Sequence, residues 1–90
     1  MMCKDARQKM PSQANRHIKQ VVGENVKAAR DEKGLAQREL AELLGMDQMT
    51  VSRWERGRVL PDAATTMPRL AAALDVTIAW LYTDHEEAAA

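Results

Sequence analysis

The sequence predicts an all-α domain, a compact bundle of five helices, on three observations. No alternating run of β-branched residues occurs, so strands have no support. Apolar residues recur at three- and four-residue intervals, the period of a helix that buries one side. Glycines and capping residues punctuate that pattern, above all in Gln37 to Gly57, QRELAELLGMDQMTVSRWERG, where one glycine splits two short helical patterns and another closes the second. The 90 residues allow one small domain, and a hydrophobic content of 46% with only Trp54, Trp80 and Tyr82 as aromatics suits an aliphatic helical core.

Residues 1–14 are polar and poorly patterned and read as a flexible basic tail ahead of a domain at 15–83. The first helix should begin near Arg16, capped by Ser12 or Asn15, and bury Ile18, Val21, Val22, Val26 and Ala29. Gly23 lies off that stripe and lowers helix propensity by about 1 kcal/mol relative to Ala. Gly34 ends the helix and Leu35 anchors the turn that follows. In the second helix Ala36, Leu40, Leu43 and Leu44 share one side, while Arg38 and Glu42 point away. Gly45 stops it, because glycine adopts the left-handed conformation without a side-chain clash. Asp47 caps the third helix. Two helices joined by about three residues cross steeply, in helix-turn-helix geometry, and Ala41 is small enough to let them approach.

On the third helix Val51 and Trp54 turn with Asp47 toward the core. Gln48, Met49, Ser52, Arg53 and Arg56 face outward. After a loop at Val59 to Asp62, Thr65 or Thr66 caps a fourth helix. Pro68 falls in its first turn, and Met67, Leu70, Ala71 and Leu74 lie inside. Thr77 caps a last helix carrying Ile78, Trp80, Leu81 and Tyr82. Residues 84–90 are acidic and alanine-rich and should fray, with no partner identified for His85.

Net charge is zero, but the first 20 residues carry five Lys/Arg against one acid, leaving a deficit of four charges beyond them. Any polyanion-binding face must therefore be local. The outer face of the third helix has no acid. Its guanidiniums, amide and hydroxyl are the groups that hydrogen-bond to base edges and phosphates in a major groove. A solvated face is the plainer reading of that composition alone; the glycine and alanine placed before it favour the groove. Lys4, Arg7, Lys9, Arg16 and Lys19 could reach a DNA backbone or minor groove, or simply be solvated.

Catalysis has little support. Glu39 and Glu42 stand three apart with no nucleophile or base beside them, and no metal-ligand cluster or phosphate-cradling glycine loop occurs. The chain is read as a non-enzyme without cofactor or metal. Cys3 is the sole cysteine, so one chain forms neither a disulfide nor a cysteine zinc site. His17 reads as exposed. The first residues lack the apolar core of a signal peptide, and no apolar run approaches the roughly 20 residues of a membrane span, which places the protein in the cytoplasm.

The run GENVKAARDEKGLAQRELAELLGMDQMTVSRWERGRVLPD resembles the lambda-repressor and Cro-like helix-turn-helix family, also called the xenobiotic-response-element family. Its matching features are Arg30, Gly34-Leu35, Gln37, Leu40-Ala41, Leu44-Gly45, Thr50-Val51-Ser52, Glu55, Gly57 and Pro61. LAAALDVTIAWLY resembles the last two helices of the same domain, so the resemblance covers roughly Val21 to Tyr82. It implies a lambda-repressor-like DNA-binding domain with the helix-turn-helix at helices 2 and 3. It implies base reading by Gln48, Met49, Ser52 and Arg53, and phosphate or positioning contacts from Gln37, Arg30, Thr50, Arg56 and Arg58. It further implies an Arg30–Glu55 ion pair. Ala36 departs from the family's Ser or Thr, removing a cap worth about 1 kcal/mol.

Relatives dimerise through the last helix. Val76, Ile78, Leu81 and Tyr82 are the candidates here, with core sealing an equal reading and Trp80 assigned to the core. The implied function is a regulator of transcription, a bacterial or phage repressor, binding double-stranded DNA at a near-palindromic operator as a homodimer. The alternative is an antitoxin-type module that binds a partner protein and regulates its own promoter.

Overall fold

Five helices follow one another in the computed structural model, which describes residues 17–85: α1 (Ile18–Glu32), α2 (Gln37–Leu44), α3 (Gln48–Glu55), α4 (Thr66–Leu74) and α5 (Ile78–Tyr82). No strand occurs among the described residues. The expectations for the basic tail with Lys4, Arg7, Lys9 and Arg16, for Cys3, for the caps Ser12 and Asn15, and for residues 86–90 lie outside the described residues.

The core is aliphatic. Val22, Val26 and Ala29 of α1 meet Leu40, Ala41 and Leu44 of α2, Val51 and Trp54 of α3, Met67, Leu70, Ala71 and Leu74 of α4, and Leu81 of α5. Two residues assigned to that interior from spacing lie outside it. Ile18 is 44% exposed: it is the first residue of α1, next to His17, whose side chain makes no capping hydrogen bond, and the buried stripe starts one turn later at Val21. Leu43 is 60% exposed: α2 has only eight residues, and Leu40, Ala41 and Leu44 already fill the side that faces α3 and α4. Ala36 is also exposed, at the N-cap.

Gly23 is the main correction inside α1. It is buried, and a Cβ there would overlap the carbonyl oxygen of Trp54 and stand 3.0 Å from that of Glu55. The missing side chain therefore lets the backbone of α1 touch the end of α3. One turn earlier, a Cβ on Gly57 would come within 3.2 Å of Gln20 Cγ, so the turn leaving α3 also rests on α1.

Local chemistry sets the helix ends. Gly45, at φ 71°, takes the left-handed cap that closes α2, and Arg69 of α4 donates to the Leu44 carbonyl at 2.8 Å. Ala36 offers no oxygen to the start of α2, but Glu39 reaches back and accepts from the Ala36 N–H at 2.7 Å. Glu39 is thus a cap, not only a solvated acid. Asp47 caps α3, accepting from the N–H of Thr50 at 3.0 Å. For α4 the expected Thr65 or Thr66 is replaced by Asp62, which accepts from the Thr65 N–H and hydroxyl, each at 2.8 Å. Thr77 caps α5 through the Trp80 N–H at 2.9 Å.

The short α5 is held from α1. Asn25, buried, turns its amide nitrogen to the carbonyls of Leu81 and Thr83, each 2.8 Å away, and of Trp80 at 3.2 Å. His85 does have a partner: its Nε2 donates to the Trp80 carbonyl at 2.9 Å, and its ring lies 4.3 Å from that of Trp80.

Candidate nucleic-acid interface

The two buried residues of α3, Val51 and Trp54, decide which side of the helix is left outside. Gln48, Met49 and Arg53 are exposed and Ser52 is half-buried, while Arg56 and Arg58 stand exposed just past the helix end. Gln37, Gln48, Met49, Ser52 and Arg56 line one recess of about 380 Å³, which brings the start of α2 and the outer side of α3 together. Arg53 lies outside that recess lining, and Arg58 follows the turn at Gly57.

A directed chain of hydrogen bonds runs into this recess from the interior. Arg30 donates to both oxygens of Glu55, from Nε at 2.6 Å and Nη2 at 3.0 Å. Both side chains are enclosed, with 10% and 4% of their surface exposed. Glu55 holds the guanidinium proton above its already high ordinary affinity, mainly through this hydrogen bond. Gln37 Nε2 donates to the same carboxylate at 2.8 Å. Gln48 Nε2 then donates to Gln37 Oε1 at 3.3 Å. An ionised carboxylate only accepts, so Gln37 must turn its nitrogen inward and its oxygen toward Gln48. Gln48 in turn is left with its carbonyl oxygen and one N–H for a ligand.

The same contacts reassign two residues. Arg30 was expected at phosphate as well as in the ion pair. Its guanidinium is turned inward, with Nη1 on the Leu35 carbonyl at 2.6 Å and its other nitrogens on Glu55, so it presents no open face to a polyanion. Thr50 donates its hydroxyl proton to Asp47 at 2.8 Å, and a phosphate would have to compete for that proton. These bonds hold the Asp47 carboxyl below the ordinary carboxylate range.

At the other end of the molecule, Ile78 and Tyr82 are exposed and Val76 is half-buried. Leu81 is fully buried against the core, so it cannot contribute to a surface patch. Trp80 is half-buried and packs against the core edge. Glu39 and Arg69 went unassigned as structural residues; the spacing of Glu39 after the N-cap was the available signal for the first, and nothing local marked the second. Among the described residues no cluster of His, Cys, Asp and Glu has the makings of a metal site, and no helix is long and apolar enough to cross a membrane.

Comparisons with known proteins agree with this geometry. A helix-turn-helix family profile matches residues 26–81. No curated protein matches the chain. Among solved structures, a hypothetical transcription factor, NHTF from Neisseria, is 33% identical with a TM-score of 0.72, over 81% of this chain and 83% of that one. The P22 c2 repressor, solved in complex with a synthetic operator, is 25% identical with a TM-score of 0.65, over 70% of this chain and 94% of that one. Hydroxypropylphosphonic acid epoxidase from S. wedmorenis is 30% identical with a TM-score of 0.67 over 71% of this chain, which spans only 34% of the epoxidase. With the family profile covering more than half of its length, the chain belongs to the helix-turn-helix family of DNA-binding transcriptional regulators, of the lambda-repressor and Cro-like type.

Proposed function

We propose that this protein is a sequence-specific repressor that sets α3 in the major groove of a near-palindromic operator. The observation that carries the reading is the exposed acid-free side of α3, joined to the interior by the chain from Glu55 through Gln37 to Gln48. A free carbonyl oxygen beside a free N–H matches the N6 amino group and N7 of adenine. Met49, 52% exposed, offers apolar contact to a thymine methyl, and Arg53 suits the two acceptors of guanine. Ser52, Arg56, Arg58 and the outer side of Gln37 hold phosphates and fix the register. Arg30 acts here only through Glu55.

Two copies related by a twofold axis would place their α3 helices about 34 Å apart on one side of the duplex. Ile78, Tyr82 and the exposed part of Val76 supply the self-complementary surface. The P22 c2 repressor, named with its operator, lends support by likeness.

Selection of bound fragments from random duplex at stated salt tests the proposal, and should return a two-part symmetric site. With that site in hand, Arg53→Ala should lose about 1–3 kcal/mol at one base pair in each half. Equal weakening on selected and random duplex would refute base reading by Arg53.

A further inference from the structure

The two ends of α3 are held differently. Its last turn lies on α1, where Gly23 admits the carbonyls of Trp54 and Glu55 and Arg30 grips the Glu55 carboxylate. Its first turn, which carries Gln48 and Met49, hangs from the short link Gly45 to Asp47. That link is tied back to α2 by the Gly45 N–H on the Glu42 carbonyl at 3.2 Å and the Met46 N–H on the Ala41 carbonyl at 2.9 Å. Arg69 reaches the same joint from α4, donating from Nη2 to the Leu44 carbonyl at 2.8 Å. Among the described residues this is the one side-chain hydrogen bond that comes to the joint from outside α2 and α3. Leu44 ends α2, so its carbonyl has no partner within that helix, and a guanidinium there also meets the negative pole of the helix.

Small angles matter at this joint. α3 has eight residues and is about 12 Å long. A tilt of about 10° about its anchored end carries Gln48 about 2 Å sideways, and a base-edge hydrogen bond of about 3 Å does not survive that displacement. We infer that Arg69 is a positioning residue for base reading: it fixes the joint between α2 and α3 from α4, and with it the place of Gln48 and Met49 in the groove, without touching DNA. The inference rests on the proposed base reading by α3. The competing role for this exposed side chain is a direct phosphate contact through its remaining donors.

The test compares Arg69→Met, which keeps the apolar stem and removes the donors, with Arg69→Lys, which restores a charged donor. Competition binding uses the selected operator and duplexes substituted at the base pairs facing Gln48 and Met49. Arg69→Met should bind the operator about tenfold more weakly and discriminate among these duplexes about fivefold less, and Arg69→Lys should recover both to within about twofold of the parent. The slope of log affinity against log salt should keep the parent's value in both variants. A slope reduced by about 1 in Arg69→Met would assign Arg69 to phosphate and overturn the inference. In the free chain, amide exchange of Arg69→Met should quicken by at least about fivefold at Thr50, whose N–H opens α3, and stay within about twofold at Arg56, whose N–H closes it. Equal quickening at both would mean general loosening and overturn the inference. A parent chain without sequence preference would refute base reading itself, and this inference with it. A parent that discriminates, matched by Arg69→Met, would overturn the inference alone.

Discussion

Replacing Gly23 by alanine sets two physical effects against each other. Propensity alone favours alanine in mid-helix by about 1 kcal/mol. The packing opposes it: the new Cβ would overlap the Trp54 carbonyl oxygen and lie 3.0 Å from that of Glu55 and 3.2 Å from its carbon. These are backbone atoms of a neighbouring helix and cannot rotate aside. Ordinary carbon–oxygen contact is about 3.3–3.6 Å, so α1 and α3 must part by on the order of 1 Å. Overpacking of this kind costs about 1–3 kcal/mol, and the upper part of that range applies where backbone meets backbone. The net expectation is destabilisation by about 1–2 kcal/mol, or a midpoint lowered by roughly 5–10 °C for a domain of this size. Thermal and urea unfolding followed by circular dichroism at 222 nm measures it. An alanine variant as stable as the parent, or more stable, would refute the close-approach reasoning and restore propensity as the deciding term. Operator affinity should fall further than the unfolded fraction explains, because the shift is delivered to the end of α3.

Glu55→Ala should destabilise by about 3–5 kcal/mol in urea unfolding, since it strands an enclosed guanidinium; a loss under about 1 kcal/mol, as for an exposed pair, would show that water reaches Arg30. Gln37→Leu should destabilise by about 1–2 kcal/mol, because the enclosed Glu55 carboxylate loses a hydrogen bond, and should relax the preference for adenine opposite Gln48 beyond what that loss explains, as competition binding with base-substituted operators would record. A uniform loss on every duplex would instead assign Gln37 to phosphate alone. Acid should loosen α3 and α4 together: the carboxyls of Asp47 and Asp62 are depressed by their hydrogen bonds to Thr50 and Thr65. Depressed carboxyls stabilise the fold above their unfolded values near 3.8, and that contribution disappears as pH falls through the lower folded values. Melting midpoints measured from pH 5 downward should decline, and Asp47→Asn/Asp62→Asn should flatten the decline.

The helix-turn-helix was legible because its signals are local. Gly45 and Asp47 announce an end and a start within three residues, and Val51 and Trp54 share a side through helical period alone. What escaped depends on partners distant in sequence. Gly23 reads as a weak helix residue until Trp54 is known to lie against it. Leu43 obeys the apolar spacing, yet a helix of eight residues has neighbours on too few sides to cover it. Asp62 displaced Thr65 as a cap because the chain turns before α4 begins, which placed the carboxylate over the N–H groups first. Within the binding face, the outward set followed from period. The inward engagement of Arg30 required coordinates, because its carbonyl partner Leu35 sits in a turn whose direction no spacing rule supplies.

Asn25 carries a consequence for truncation. Its amide reaches across 55 to 58 positions of sequence to satisfy carbonyls that a five-residue helix cannot satisfy for itself. Cutting the chain after α4 would thus do more than uncover a greasy hollow where Leu81 had been. It would maroon a hydrogen-bonding group in the middle of the longest helix, with water its one substitute. The final segment behaves as a plug shaped for one socket. Shortened versions should fail as whole molecules, and should recover when the missing peptide is supplied separately.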